Sequence, residues 1–102
     1  MAHYKALGWK IIKYPDSDDY YLFADLGHMG WKRNSGISGF YEDKGHYYFS
    51  GYSGSVYRCS KVDKELSPYP SSVLKAAMVE NPEIKEVTVE EFLSTCDVKP
   101  KH

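Results

Sequence analysis

The sequence predicts an α+β domain: an antiparallel sheet of about five short strands packed by two short C-terminal helices. Three observations lead there. Aromatic runs punctuated by glycine and polar turns fill residues 4–62, and tyrosine, present ten times, favours strands. After Ser67 the composition shifts to a stretch with helical spacing. Near the C-terminus, Thr88-Val89-Glu90-Glu91 is a helix-start signature. The 102 residues fit one domain, with a β-rich part over 4–62, a helical part over 68–96 and a polar tail over 97–102.

The elements follow in order. "YKALGWKIIKY" reads as one strand, with Leu7, Trp9 and Ile11 on one side and Ala6, Gly8 and Lys10 on the other. Pro15 and Asp16 suit a turn, and "YYLFADL" (20–26) is the partner strand, so an N-terminal hairpin is expected. Trp31-Lys32-Arg33 forms either a short strand or an exposed loop. A Tyr-rich meander of three strands follows, from Ile37 to Lys61.

Its turns set the register. Glu42-Asp43-Lys44-Gly45 suits a type I turn with a G1 bulge, with Gly45 at positive φ. Gly51-Tyr52-Ser53-Gly54 suits a tighter turn in which Gly51 opposes Gly54. Phe40 is then near Tyr48, Tyr41 near Tyr47, Phe49 faces Val56, Tyr48 faces Tyr57 and Tyr47 faces Arg58. One face carries Ile37, Tyr41, Tyr47, Phe49 and Val56, and is expected to be core beneath the helices. The other carries Ser38, Phe40, His46, Tyr48, Ser50, Ser55, Tyr57 and Cys59. A one-residue slip would exchange the faces.

Val73, Leu74, Ala77 and Met78 predict a helix over about 71–80, which Pro82 stops. "EIKEV" suits a short strand. Thr88 and Glu91 form a capping box, and Val87 and Phe92 a hydrophobic staple, around a helix over about 89–95.

Charge narrows the function classes. With 13 basic and 14 acidic residues, the formal charge is -1, so no global field draws nucleic acid or anionic membrane. No run approaches the ~18 apolar residues of a membrane span. The lysine-dotted N-terminus lacks the apolar segment of a secretory leader, and with Cys59 and Cys96 as free thiols this points to a cytoplasmic protein. A single disulfide in a secreted chain is the alternative.

No catalytic or metal signature emerges, and no cofactor is expected. His46 and Cys59 fall opposite each other in this register, but no third residue orients them, so Cys59 is expected to be a buried structural thiol. The acidic run 16–19 opens like a calcium loop but lacks its glycine and closing glutamate. The contact candidates are Trp31, Lys32 and Arg33 as an aromatic-basic cluster, and Phe40, His46, Tyr48, Tyr57 and Arg58 with Tyr52 at the hairpin tip. An aromatic sheet face of this kind stacks bases or nucleotide rings. The competing expectation is that the N-terminal hairpin, or a second copy in a homodimer, covers it.

"SGFYEDKGHYYFSGYSGSVYR" is faintly similar to the GIY-YIG nuclease motif. Gly39-Phe40-Tyr41 and Tyr48-Phe49-Ser50-Gly51 stand for its two triplets, and Arg58 with Glu90 or Glu91 for its charged residues. Here the triplets lie closer together than in that family, and Phe49-Ser50 interrupts the second. In general style the chain resembles the small accessory proteins that bacteriophages make to manage their hosts. That resemblance implies a non-enzymatic module that binds and modulates a host protein. A nucleotide or single-stranded nucleic-acid binder is the second expectation, and a nuclease-like hydrolase the third.

Overall fold

In a computed structural model that describes residues 3–95, the N-terminal run folds as two strands instead of one. Strand β1 (His3–Ala6) and strand β2 (Gly8–Lys13) are separated by Leu7 alone, yet they belong to different sheets. The remaining elements are β3 (Tyr20–Asp25), a 3₁₀ turn (Gly27–Met29), β4 (Trp31–Arg33), β5 (Ile37–Asp43), β6 (His46–Gly51), β7 (Val56–Ser60), α1 (Pro68–Glu80), β8 (Lys85–Val87) and α2 (Val89–Thr95). The first sheet has the order β1-β7-β6-β5 and the second β4-β3-β2-β8. Two four-stranded sheets therefore replace the single five-stranded sheet expected from the sequence, within the same α+β class.

The break at Leu7 has a cause far along the chain. A Cβ on Gly8 would lie 2.0 Å from the carbonyl oxygen of Glu65, so the backbone there passes against Gly8 at a distance no side chain allows. The Trp9 N–H donates to the Lys64 carbonyl at 2.9 Å. Alternation slips by one at this crossing. Tyr4 and Ala6 pack inward from β1, then Trp9 and Ile11 from β2, while Leu7, expected on the Trp9 side, is exposed.

The meander has the expected strands but not the expected register. Lys44 and Gly45 both have positive φ, 49° and 81°, and Asp43 pairs directly with His46. That is a two-residue turn of type I′ geometry, one residue shorter than the G1 loop expected. At the next corner the Gly51 N–H donates to the Ser55 carbonyl, and Gly54 takes φ 93°, so the loop holds three residues where two were expected. Each change shifts its pairing by one. Phe40 pairs with Phe49, Tyr41 with Tyr48, Phe49 with Tyr57, Tyr48 with Arg58 and Tyr47 with Cys59.

Strand β6 keeps its expected faces, but β5 and β7 are reversed. Phe40, Tyr57 and Cys59 point into the core, whereas Tyr41 and Val56 leave it. Ile37 stays inside because a bulge between Ile37 and Gly39 resets the alternation of β5. His46 now pairs with Ser60 and stands on the opposite face from Cys59, so the sequence-expected pairing of those two does not form.

The two sheets pack face to face. The Trp9 ring meets those of Tyr47 and Phe49 at 6.0 and 5.6 Å, and its Nε1–H donates to the Ser60 carbonyl at 2.9 Å, joining the sheets. The expected cover for the core face was the pair of helices; the second sheet supplies most of it instead. Helix α2 contributes Phe92, fully buried against Tyr20, Phe40 and Phe49. At its start the Glu91 N–H donates to Thr88 Oγ1, and Val87 joins the same cluster as Phe92, in keeping with the predicted cap and staple.

Helix α1 packs on the outer face of the second sheet, where Leu74 meets Ile12, Phe23 and Ile84. It begins three residues earlier than predicted, because Pro68 and Pro70 sit inside its first turn, where a missing N–H breaks no helical bond. Full burial of a side chain such as Phe92 or Leu74 contributes about 1.5–3 kcal/mol. No described helix is long and apolar enough to cross a membrane.

Candidate functional site

Both helices are thus engaged elsewhere, and no described element packs on the outer face of the first sheet. Register places four outward residues in one row across it. Lys5 on β1 pairs with Arg58 on β7, Arg58 with Tyr48 on β6, and Tyr48 with Tyr41 on edge strand β5. Three strand spacings of about 4.8 Å make this row about 14 Å long. Two cations occupy one half of it and two aromatic rings the other.

The aromatic half is ordered. Tyr41 and Tyr48 stack with ring centroids 4.5 Å apart and planes 4° from parallel. Both are half-buried. His46 lies beside them, 6.5 Å from Tyr48 between centroids, with Nδ1 3.2 Å from the Lys44 carbonyl.

The cationic half makes no ion pair among the described residues. Lys5 and Arg58 are exposed, sit opposite each other, and have no carboxylate within ion-pair distance among the described residues. Like charges directly opposite are destabilising by a fraction of a kcal/mol up to about 1 kcal/mol, which an incoming anionic group relieves. Beyond them the face runs into an open cleft of about 730 Å³, where Lys5, His46 and Arg58 meet Ser60, Asp63, Lys64 and Glu65.

The other sequence-predicted residues scatter. Phe40 and Tyr57 lie in the core, and the Tyr57 hydroxyl is sealed there without a hydrogen-bond partner among the described residues. Burial pushes the Tyr57 hydroxyl pKa up, and burial does the same to the Cys59 thiol. Tyr52 at the hairpin tip is a clip, donating its hydroxyl proton to Asp19 Oδ1 at 2.9 Å while its ring covers Gly36.

Trp31, Lys32 and Arg33 form edge strand β4 of the second sheet, not part of the sheet that carries the Tyr48 row. Trp31 and Arg33 face α1, whereas Lys32 turns to the opposite side of the strand. There its ammonium donates to the Tyr4 hydroxyl at 3.1 Å, a bond that raises the Lys32 pKa. Cys96 lies outside the described residues.

Two residues of the row, Lys5 and Tyr41, escaped the sequence-based list. Tyr41 was assigned to the core by the one-residue register difference at Lys44-Gly45. Lys5 was merged into a single N-terminal strand, and no local signal in "HYKALGW" announces pairing with residues 56–59. Arg58 points outward from the first sheet, while α2, carrying Glu90 and Glu91, inserts Phe92 on the inner side. No protein-family model, curated protein or solved structure matches this chain.

Proposed function

We propose that the protein is a non-enzymatic binding module whose contact surface is the open outer face of the first sheet, and that it engages an acidic patch on another protein. The observation that carries this reading is the row itself: a parallel tyrosine stack beside two cations that form no ion pair among the described residues, with no described element over it. Tyrosine and arginine dominate interface energetics because they bring large contact area and directed polar ends at modest entropic cost. The partner supplies carboxylates for Lys5 and Arg58 and an apolar rim for Tyr41 and Tyr48. A host protein of a bacteriophage is the partner class suggested by the style of the sequence.

A second reading rests on the order of groups within the row. Cations next to stacked rings on an open sheet also suit single-stranded nucleic acid or a nucleotide, with phosphate at Lys5 and Arg58 and a base against Tyr48. The two readings separate by experiment. Affinity capture with wild-type protein and with Tyr48→Ala and Arg58→Ala variants should recover one partner that both substitutions lose. Unchanged recovery by both variants would reject this face. A rise in melting temperature with short oligonucleotides, abolished in high salt and by Arg58→Ala, would favour the second reading instead.

A further inference from the structure

A second site lies on the opposite side of the molecule. Between α1 and the outer face of the second sheet is a groove of about 400 Å³, within the size range of small-molecule sites. Its floor is apolar: Ile12, Phe23 and Leu74 are core residues that reach its surface. One wall is Trp31, 39% exposed and stacked on Phe23 at 5.1 Å and 17°, so a flat indole faces the opening.

The polar end of the groove is Arg33. Its guanidinium donates to the Tyr14 hydroxyl at 3.0 Å and lies over the Tyr21 and Tyr14 rings at 4.9 and 5.4 Å. These contacts hold the group in place without neutralising it. No Asp or Glu lines the groove, and among the described residues none forms an ion pair with Arg33. Lys32, the other cation at the rim, also keeps its charge, but its ammonium is directed to the Tyr4 hydroxyl on the other side of the strand, leaving Arg33 as the cation at the aromatic end. One fixed, unneutralised guanidinium at the end of an aromatic-walled groove is complementary to one anionic head on a flat apolar body.

We propose that this groove binds a small aromatic monocarboxylate, with the carboxylate on Arg33 and the ring between Trp31 and the Ile12–Leu74 floor. A guanidinium presents paired N–H donors that match a carboxylate. The site is independent of the Tyr48 row, and neither proposal depends on the other.

The test uses the full chain, with 2-naphthoate as probe and 2-naphthamide as its uncharged counterpart. Calorimetry at millimolar probe should show saturable binding of the acid and about tenfold or more weaker binding of the amide, the effect of one charge-assisted hydrogen-bonded pair. Arg33→Gln should erase the difference between acid and amide, and Trp31→Ala should weaken both. Arg33 is exposed, so an unchanged melting temperature for Arg33→Gln verifies that the fold persists. In amide-correlation spectra the acid should shift residues around Trp31 and Leu74 and leave Tyr48 unmoved. Equal affinity for acid and amide, indifference to Arg33→Gln, shifts confined to the Tyr48 row, or no binding at millimolar acid would each overturn the proposal.

Discussion

Tyr41 and Tyr48 stand side by side on neighbouring strands, 4.5 Å apart and within 4° of parallel, on the face that no described element covers. Stacked aromatic pairs contribute about 0.5–1.5 kcal/mol beyond the area they bury. Tyr41→Ala and Tyr48→Ala should each lower stability modestly in urea denaturation. The double variant should lose less than the sum, with a coupling of about 0.5–1 kcal/mol. Strict additivity would show that the stack is not maintained in solution.

Gly8→Ala should destabilise the protein severely. The added methyl carbon would sit 2.0 Å from the Glu65 carbonyl oxygen, and backbone, not a flexible side-chain end, is what must move. A loss of about 2–4 kcal/mol is expected, in the range of core overpacking and strain. A shift in urea midpoint small enough to mean under about 0.5 kcal/mol, typical of neutral surface changes, would contradict the crossing at residue 8.

Tyr57→Phe should stabilise the protein. The hydroxyl is buried without a partner among the described residues, and removing an unsatisfied buried group recovers part of a cost of about 1–3 kcal/mol. The same substitution separates the two possible registers. On an exposed face it would be neutral, and thermal denaturation distinguishes the outcomes.

Asp25 predicts an acid-sensitive joint. Its carboxylate is buried, which works to raise its pKa, but hydrogen bonds from Ser67 and from the Gly27 N–H outweigh this and hold the group below its ordinary value. A pKa depressed in the folded state means the unfolded chain binds the proton more readily. The stabilisation is therefore complete above the ordinary carboxylate range and is lost as pH falls through the depressed folded value. Asp25→Asn should be less stable than wild type at neutral pH, and the gap should close in acid. A gap that is constant with pH, measured by urea midpoints across the acid range, would refute the linkage.

How far the sequence disclosed this arrangement depended on how local each signal was. The β2–β3 hairpin, the Thr88–Glu91 cap and the helix stopped at Pro82 depend on residues a few positions apart, and each is where the pattern put it. Two features left no such signal. The break at Leu7 is imposed by Glu65, a contact that no alternation pattern in residues 4–14 encodes. Turn length in the meander depended on Lys44 adopting positive φ, uncommon for a residue with a side chain. Because side chains alternate with period two, each single-residue change in loop length turned a whole strand over. That is why Tyr48, His46 and Arg58 reached the open face as candidates, while Phe40 and Tyr57 went inside and Tyr41 was overlooked.

The parallel pairing of β1 with β7 also bears on how the chain is made. His3 cannot meet Val56, nor Ala6 meet Cys59, until the ribosome has delivered the whole meander between them. Strand β1 emerges well before its partner and is placed late, after a long loop has closed at an entropic cost that local hairpins avoid. Until then the free edge of β7 is open to pairing with any other extended chain, including a neighbouring nascent copy. Arg58, exposed on β7, puts a charge on that open edge, one of the features that discourage edge-to-edge pairing between copies.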